Sequence, residues 1–592
     1  MGYPLAADGD KAWQTTTADR CDGGMNLLDR PDQIKLEEFL RCQNVTLKKG
    51  RVYQDTGYTP FAGVVEGIPQ LTEQFFKKSG SSEELLVTTV SLYRFATGPQ
   101  QWQFVKGDAG TTLSAQANTG VTSLQVVSSA GFTASSRLGV ILDNGTQHRT
   151  TVNGAPPDGT HINITDAIPA GRNAPNGAAV VQAVALTGNL DNPVVSDTLP
   201  SHDWFVFTNN VNTPKRYDGT DCVVIPNLPS DGNVICKALR LYNNALFLLN
   251  TIEGGTAHPQ RVRRSDASDP TNWTTGTAGF DDLLDSADFV MCGEILGPYL
   301  IVYRERSVER GEFIGQGGLN YFFESMIKGE GILSPIAVVD MGDYHIFVGN
   351  ANIYEYRGGF DYEPLGDKVY YSLFGSEADV NPSKRHRAFA FYVEELDEAW
   401  MFFPSTASDF CDRLLRYNTG DKSFVERRFA DNFCGYGFFQ RQDSFVWGDL
   451  VGAWSDQVWQ WNSRSVQADS PTTHLCAAEE GQVYEYDYTT IDDAGTPIDF
   501  VLETRDFILP GGSFRIDTFE GYLRGSNILV EYSVDEGVSW EAIGSVTNTV
   551  HNSFHLERQV TAGRIRFRLT GADPQFMLSF YQFIWKLESV GR

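Results

Sequence analysis

Acidic and histidine side chains are the residues of this chain that could carry acid–base or metal chemistry. The sequence holds 75 Asp and Glu and nine His among 592 residues. Glycoside hydrolysis needs two carboxylates that face each other across a pocket, and among so many acids the sequence singles out no pair. His551 and His555 form an HxxxH pattern. They have no adjacent carboxylate or cysteine, which favours ordinary surface histidines over a metal site.

Motifs for nucleophilic catalysis and phosphate binding are absent from the sequence. It has no GxSxG elbow, no GxxxxGK[S/T] loop and no HExxH pattern. The glycine pairs Gly317-Gly318 and Gly358-Gly359 are typical of turns rather than phosphate cradles. The sequence therefore predicts no catalytic, cofactor-binding or metal-binding residues, and a protein that is not an enzyme.

Residues 533–540, SVDEGVSW, match the Asp-box pattern found in hairpins of sialidases and other β-propeller glycosidases. Folding alone accounts for the pattern. Asp535 can cap backbone N–H groups of the turn, Gly537 allows a positive φ, and Trp540 can pack on the returning strand. Those enzymes repeat the box from blade to blade, whereas here it occurs once, with a looser relative at 265–273, SDASDPTNW. We therefore interpret it as a structural turn.

The overall charge is strongly acidic, with a formal net charge of −28. A chain of this kind is not expected to bind DNA over its whole surface, because phosphate binding needs clustered Lys and Arg. Two interpretations stay open: the charge serves solubility, or it forms a wall past which DNA moves without sticking.

Basic residues occur in short clusters. We expect each cluster to lie on the solvated surface and to pair with nearby acids. In a cyclic oligomer such clusters would instead recur as rings that contact phosphates or an acidic partner subunit. The clusters are Lys48/Lys49/Arg51, Arg261/Arg263/Arg264, Arg304/Arg306/Arg310, Lys384/Arg385/Arg387 and Arg564/Arg566/Arg568.

The eight cysteines form no CxxC pair, which predicts ordinary thiols, several of them buried, rather than a disulfide framework or a zinc site. The N-terminus has no apolar run that would predict a secretory signal. The most apolar stretch, 288–303, is interrupted by Asp288, Gly293, Glu294 and Gly297. That pattern is typical of buried strands rather than a membrane span, so we expect a protein made soluble in a cytoplasm.

A recurring phrase of alternating apolar residues, a short turn and an aromatic strand predicts the fold. Its spacing of roughly 40–60 residues fits four-stranded propeller blades better than unrelated hairpins in a sandwich. The sequence therefore predicts an all-β protein whose main body is a β-propeller of about six blades. The copies lie at 84–95, 204–219, 343–359, 410–424, 444–461 and 481–488, with looser ones at 238–250 and 298–313, and the aromatic anchors are Tyr217, Tyr354, Tyr417 and Trp459.

Composition divides the rest of the chain. Phe132 is the one aromatic residue between 109 and 183, where Asn144-Gly145 is a hairpin signal, so this stretch is predicted to be a small inserted β domain. Beyond residue 497, long alternating strands predict a C-terminal β-sandwich with one solvated face. The predicted domains are an arm at 1–80, a propeller at 81–108 and 184–496, the insert at 109–183 and the sandwich at 497–592.

The segment 21–50 is predicted to be an arm or clasp rather than core. Pro31 can open a short helix, and Leu36, Phe39 and Leu40 follow at helical spacing. Asn44 and Gly50 bracket a returning strand.

The stretch GGMNLLDRPDQIKLEEFLRCQNVTLKKG, residues 23–50, resembles the opening of the tail nozzle proteins of short-tailed bacteriophages, also called phage stabilisation proteins. Residues 208–219, TNNVNTPKRYDG, and 263–273, RRSDASDPTNW, are similar to blade sequences of that family. Residues 138–152, LGVILDNGTQHRTTV, are similar to small β modules of phage structural proteins. Together these motifs span most of the chain up to about residue 490.

The resemblance implies a propeller-based subunit of a hexameric tube below the head–tail adaptor ring, in the virion tail. That tube retains DNA and conducts it during ejection, with transient nonspecific DNA contact in its lumen. The implied partners are other copies of the chain, the adaptor protein and tail fibres or spikes, with no membrane span. It implies no catalytic residues and no cofactor. A lumen of net negative charge is expected, with the basic clusters at subunit contacts. The alternative is a receptor-binding or glycan-cleaving tail protein whose sandwich contacts sugars.

Overall fold

The computed structural model describes residues 13–316, 319–375, 378–440, 471–479, 481–486 and 490–590. Across these residues the protein is built almost wholly from β-strands, which confirms the all-β class. The described helical elements are the α-helix Tyr370–Leu373 and the 3-10 turns Ser230–Gly232, Gly366–Val369, Arg385–Arg387 and Glu394–Leu396.

Seven antiparallel groups of four strands, which we call blades 1 to 7, form the propeller in the described part of the chain, one more than the predicted six or so. Blade 1 comprises Pro69–Phe76, Ser82–Thr88, Leu92–Ala96 and Gln101–Phe104. Blade 2 comprises Val195–Leu199, Trp204–Thr208, Lys215–Tyr217 and Cys222–Val224. Blade 3 comprises Val234–Tyr242, Ala245–Glu253, Thr256–Arg264 and Gly279–Asp282. Blades 4 and 5 are Val290–Leu296, Tyr299–Arg304, Ser307–Gln316 and Leu319–Lys328; and Val338–Asp340, His345–Val348, Ile353–Tyr356 and Tyr362–Pro364. Blade 6 comprises Phe389–Val393, Glu398–Pro404, Cys411–Asn418 and the first part of the long strand Ser423–Gln440. The second part of that strand is the first strand of blade 7, and the other three are Pro471–Ala477, Val483–Tyr486 and Tyr58–Phe61.

Neighbouring blades are joined by shared layers of buried apolar side chains, and these layers close the ring. Phe75 of blade 1 packs with Phe205 of blade 2, and Phe389 of blade 6 belongs to one cluster with Leu475 of blade 7. The ring closes between blades 7 and 1, where the first strands run parallel. There Gly437 lies so close to the backbone of blade 1 that a Cβ would overlap the Thr72 carbonyl. The predicted β-propeller is therefore confirmed.

The aromatic anchors of the recurring phrase lie on the third strand of their blades. Tyr217, Tyr354 and Tyr417 are all nearly fully buried there. The phrase thus marks the middle of a blade, and a fourth, less distinctive strand follows it. The phrase at 444–461 and its anchor Trp459 lie outside the described residues, as does the Gly317-Gly318 pair.

The N-terminal part of the chain supplies the outermost strand of blade 7. Tyr58–Phe61 pairs antiparallel with Val483–Tyr486, with Tyr58 opposite Tyr486. Blade 1 begins at Pro69, before the predicted boundary at residue 81. The propeller therefore takes strands from both ends of its sequence range, and closing it requires a contact between residues more than 400 positions apart.

The insert between blades 1 and 2 has a core of its own. Its sheets are Lys106–Thr112, Ala179–Ala183, Arg137–Ile141 and Gln147–Thr151, and Ser123–Gln125 with His161–Asn163. Gly145 turns the predicted hairpin with φ +80°. Leu124, Leu138 and Ile162 are completely buried in a cluster separate from those of the propeller. The insert meets blade 1 through polar contacts, such as the Gln147 side chain accepting a hydrogen bond from the Phe104 amide at 2.6 Å, and through Val181 and Ala183, which pack in the apolar cluster of blade 1.

Deleting residues 109–183 and joining the ends with a short glycine linker is expected to leave a folded propeller. Lys106 pairs directly with Ala183, so the two ends of the deletion lie side by side, and the lost core is separate. Circular dichroism and size-exclusion chromatography of the deletion variant would measure this. Recovery of only insoluble protein would show that the propeller depends on the insert.

The C-terminal region is the predicted β-sandwich. Its strands are Phe500–Glu503, Phe507–Ile508, Gly512–Ser533, Glu541–Ala562, Arg564–Gly571 and Met577–Val590. The two longest strands form one hairpin that passes from one sheet to the other where its register breaks at Gly525, which has φ +148°. Phe507 and Phe583 meet in the core, with ring centroids 4.6 Å apart. The two short strands Asp492–Asp493 and Thr496–Pro497 link the sandwich to the propeller.

The N-terminal segment is woven between the sandwich and the propeller. Its strands are Gln14–Ala18, Gly24–Met25, Glu38–Phe39, Arg41–Gln43, Val45–Lys48 and Arg51–Gln54. The first pairs with the last strand of the sandwich, and Arg41–Gln43 pairs with Phe500–Glu503. Phe39, Cys42 and Val45 are fully buried in the largest core cluster. The interpretation of this segment as separate from the core is therefore wrong.

The predicted helix after Pro31 is also wrong, because tertiary contacts hold residues 31–37 in turns. The carbonyl of Ile34 accepts a hydrogen bond from Arg505 at 2.6 Å, and that of Leu36 accepts one from the Tyr581 hydroxyl at 3.2 Å. These tertiary hydrogen bonds hold the backbone of the segment in its turns. The returning strand between Asn44 and Gly50 is confirmed as Val45–Lys48.

Candidate functional site

The first strands of the blades surround the propeller axis, and polar side chains from several blades meet there. Arg240 of blade 3 forms ion pairs with Glu294 of blade 4 and, at 3.8 Å, with Asp197 of blade 2. Its Nε also donates to the Gly293 carbonyl at 3.2 Å. Asp197 in turn accepts a hydrogen bond from the Leu241 amide at 2.6 Å. We call Arg240, Asp197, Glu294 and Glu73 of blade 1 the axial cluster.

Glu73 has a raised pKa in the axial cluster. Burial raises this pKa most, the neighbouring Asp197 carboxylate also raises it and Arg240 lowers it, and together they bring it to about 7. Glu73 therefore gains or loses its proton close to neutral pH. The axial cluster thus has three acids to one arginine.

The Glu73→Gln variant is expected to be less sensitive to pH than the wild type. Because the folded pKa lies near 7, above the ordinary glutamate pKa of 4.5, the folded state binds more protons and stability falls as pH rises between these two values. Glutamine removes that loss, so we expect the variant to gain about 1–2 kcal/mol relative to wild type at pH 8 and little at pH 5. Urea unfolding at both pH values measures it. Parallel pH profiles would contradict the assignment.

A cavity of about 450 Å³ opens where the chain enters the first strands of blades 2 to 6, and we call it the mouth cavity. Prolines and apolar side chains form part of its wall. Its ionisable lining residues are Asp191, Lys237, Glu305, Arg306, Arg385 and His386.

Only part of this charge is neutralised within the chain. Asp191 accepts hydrogen bonds from His386 at 3.0 Å and Arg387 at 2.8 Å, and the bond from His386 lowers its pKa most. Arg306 and Arg385 are exposed and form no ion pair with any described residue. Lys237 is half-buried and likewise unpaired within the described ranges, and burial lowers its pKa although Glu305 opposes this.

One basic cluster of the sequence is buried in ion pairs rather than exposed on the surface. Arg261 and Arg263 share Glu253, while Arg264 pairs with Asp281, and all three arginines are at most 9% exposed. The surface interpretation is therefore wrong for this cluster.

Two further clusters are used inside the fold in the same way. Arg304 is completely buried between Asp288 and Glu309. Arg566 is 8% exposed and pairs with Asp506 at 2.8 Å, so the arginine face of its strand is partly covered. Among the five basic clusters of the sequence, the exposed cations include Lys49, Arg51, Arg306 and Arg385.

The Asp box is the turn of the long sandwich hairpin. The Asp535 carboxylate accepts hydrogen bonds from the Ser539 amide at 2.9 Å and its hydroxyl at 2.5 Å, and these lower its pKa to about 2. Gly537 has φ +89°, as expected. Trp540 donates to the Gly537 carbonyl at 3.0 Å, and its ring lies 4.1 Å from the Arg568 guanidinium. Each marked residue of the pattern thus has a role in the turn.

The Asp535→Ala variant is expected to unfold at a lower temperature than wild type, because the turn loses its cap. Ser→Ala at the exposed position 545 on the neighbouring strand serves as the control. Differential scanning calorimetry measures the effect. An unchanged unfolding temperature, or a glycan-cleaving activity that depends on Asp535, would overturn the structural interpretation.

The two histidines of the HxxxH pattern have separate partners. His551 hydrogen-bonds to Ser579 at 2.9 Å, whereas His555 lies 2.7 Å from Glu520 and 3.5 Å from Glu557. The expectation that no carboxylate lies nearby is therefore wrong for His555. Across the described ranges, no three His, Cys, Asp or Glu residues are grouped so as to hold a metal ion. The eight cysteines are free, and seven are buried.

Sequence reasoning missed the axial cluster and the mouth cavity. A local signal existed in the strand 234–242, VICKALRLY, where Lys237 and Arg240 interrupt an otherwise apolar run. The convergence of residues from different blades had no local signal. Within the described residues, no helix has the length and apolar character that a membrane crossing would require.

No family model and no curated protein matches the chain. Solved structures similar to it include the extracellular domain of the one-component system BT4673 from B. thetaiotaomicron, at 8% identity and a TM-score of 0.28, covering 90% of this chain. The chain spans 59% of the length of that structure.

An exo-beta-1,3-galactanase from Phanerochaete chrysosporium matches at 8% identity and a TM-score of 0.21, with 83% of this chain and 99% of the galactanase covered. Chaetomium thermophilum Raptor matches at 6% identity and a TM-score of 0.25, over 74% of this chain and 29% of Raptor. Scores this low carry no argument about substrates or partners. The resemblance to tail nozzle proteins stays an expectation.

Proposed function

We propose that this chain is a structural, non-enzymatic subunit of a short bacteriophage tail, a nozzle protein that forms an oligomeric tube below the head–tail adaptor and conducts DNA during ejection. The observation that carries the proposal is the resemblance of residues 23–50 to the opening of that protein family. Here this stretch is not a loose leader. Gly24, with φ +71°, lies against the backbone of Phe424, where a Cβ would overlap it.

A duplex would have to pass between subunits rather than through one propeller. The axis of the propeller is occupied by the axial cluster, in which Arg240 bridges blades 2 and 4. A ring of identical subunits encloses a lumen on its symmetry axis, and every lumenal residue recurs once per subunit. The proposed conduit is therefore a property of the assembly.

The distribution of basic residues supports a wall that does not hold DNA. Many arginines form ion pairs with acids of the same chain, including the buried Arg304, Arg413, Arg416 and Arg427. Affinity for a duplex grows with the number of phosphates that Lys and Arg neutralise. Pairing of these arginines within a chain of net charge −28 would let the genome slide past.

Mass photometry of the purified chain, alone and with its adaptor, tests the proposal. We expect discrete closed oligomers, which the family resemblance predicts to be hexamers. In a separate assay, we expect no release of reducing sugars from host surface polysaccharides. An elongated trimer that releases sugars would favour the alternative of a glycan-cleaving or receptor-binding tail protein.

A further inference from the structure

Three cations from different blades line the mouth cavity. Lys237 comes from the first strand of blade 3, Arg306 from the second turn of blade 4, and Arg385 from the entry to blade 6. None of the three forms an ion pair with a described residue. By contrast, neighbouring cations in the sequence are paired: Arg304 with Glu309, and Arg387 with Asp191.

Solubility does not explain this arrangement. A cation that serves solubility lies in open solvent, whereas Lys237 lines a concave site and is half-buried there. Lys237 in addition loses hydration in its half-buried position, which lowers its pKa. The chain has 75 acidic residues against 47 basic ones, yet none of these three cations forms an ion pair with a carboxylate in the described ranges.

Of the two acids at the cavity, Asp191 has partners outside the three cations, and Glu305 acts on Lys237 without forming an ion pair with it. Asp191 is bound by His386 and Arg387, and the Glu305 carboxylate accepts from the Phe289 amide at 3.4 Å. The cavity therefore presents a surplus of positive charge.

We propose that the mouth cavity binds a phosphate group, carried by a small phosphorylated molecule or as free phosphate, between Lys237, Arg306 and Arg385. Two guanidinium groups and one ammonium suit a phosphate dianion, because guanidinium binds oxyanions through two parallel hydrogen bonds and ammonium acts as a compact charge. The cavity volume of about 450 Å³ lies within the size range of small-molecule sites. This proposal does not depend on the proposed function.

The wall of the cavity indicates what the rest of the ligand would contact. Met291, Ile332 and Leu333 supply apolar surface, and Asn210 and Asn350 supply amides. Both asparagines are fixed by hydrogen bonds of 2.7 Å, to Asn192 and to the Glu305 carbonyl. A sugar phosphate, with hydroxyl groups and an apolar ring face, fits this lining.

Isothermal titration calorimetry of the full chain at low ionic strength tests the site with inorganic phosphate, glucose 6-phosphate and acetate. We expect saturable binding of one phosphate per chain and no comparable binding of acetate. Tighter binding of glucose 6-phosphate identifies an organic phosphate as the ligand, whereas equal binding identifies free phosphate. Acetate binding as tight as phosphate would overturn the proposal, because charge alone would then suffice.

Variants locate the binding. Arg306→Gln and Arg385→Gln alter exposed side chains and are each expected to weaken phosphate binding about tenfold, as the loss of a charged hydrogen bond implies. Lys237→Gln should weaken it at least as much. Lys328→Gln, on the fourth strand of blade 4 and also exposed, is the matched control. Absence of saturable binding, or binding unchanged in Arg306→Gln and Arg385→Gln, contradicts the site. Binding of a short DNA duplex without binding of phosphate contradicts it as well.

Discussion

Replacing Asp55 by asparagine is expected to lower the free energy of unfolding by about 3–5 kcal/mol, the cost of leaving buried charges uncompensated. Asp55 accepts hydrogen bonds from Arg416 at 2.9 Å and from the Tyr486 hydroxyl at 3.2 Å, and its second oxygen lies 3.1 Å from Arg427. All three charged side chains are at most 2% exposed.

The size of this effect follows from what asparagine leaves behind. The amide keeps the shape of the side chain but not its charge, so Arg427 retains its ion pair with Asp493 at 2.6 Å, whereas the one carboxylate left near Arg416 among the described residues is Glu398 at 3.7 Å. Guanidinium denaturation followed by tryptophan fluorescence measures the change. Asp517→Asn is the control, since its partly exposed pair with Arg515 is 3.8 Å long and should contribute within about 0.5 kcal/mol. A loss no larger than in this control would contradict the role of Asp55.

The Tyr58→Ala variant is expected to lose about 3–5 kcal/mol, because a buried aromatic ring is removed from the strand that completes blade 7. Tyr58 is fully buried, with its ring 4.8 Å from Tyr484 and 5.5 Å from Phe433, and its hydroxyl donates to Asp431 at 2.8 Å.

Tyr58→Phe separates the ring from the hydroxyl. It keeps the aromatic packing and is expected to cost about 1–2 kcal/mol for the lost hydrogen bond. Thermal unfolding of both variants measures the difference. Equal losses in the two variants would show that the hydroxyl, rather than ring packing between the N-terminal strand and blade 7, carries the stability.

Local patterns predicted the middle of each blade and missed its closure. Tyr217, Tyr354 and Tyr417 stand out because alternating strands and a tight turn repeat around them. The closing strand Tyr58–Phe61 contains Pro60 and has no such pattern, and its partner lies more than 400 residues away. Pairing over that distance depends on the assembled ring, which no local window contains.

The helix predicted after Pro31 was wrong for a related reason, because tertiary contacts overrode the helical spacing of apolar residues. Leu36 and Phe39 have that spacing, but hydrogen bonds from Arg505 and Tyr581 to backbone carbonyls hold the segment in its turns. The prediction that each basic cluster lies on the surface was wrong for some clusters, because residues that are neighbours in sequence can lie in different environments. Arg304 is buried in an ion pair, while Arg306 lines the mouth cavity.

The mouth cavity could not be predicted from sequence, since Lys237, Arg306 and Arg385 come from three blades and no short motif joins them. The Asp box, in contrast, was interpreted from eight consecutive residues. Its turn is local, so the roles of Asp535 and Gly537 followed from the chemistry of those residues alone.

A cryo-electron microscopy reconstruction of the purified chain assembled with its adaptor tests the central proposal most directly. The account predicts a closed ring of identical subunits with a lumen wide enough for a duplex and lined mainly by carboxylates. Arginines such as Arg261 and Arg304 should stay in their pairs within each subunit. Monomeric particles, or a lumen lined by unpaired Lys and Arg, would contradict it.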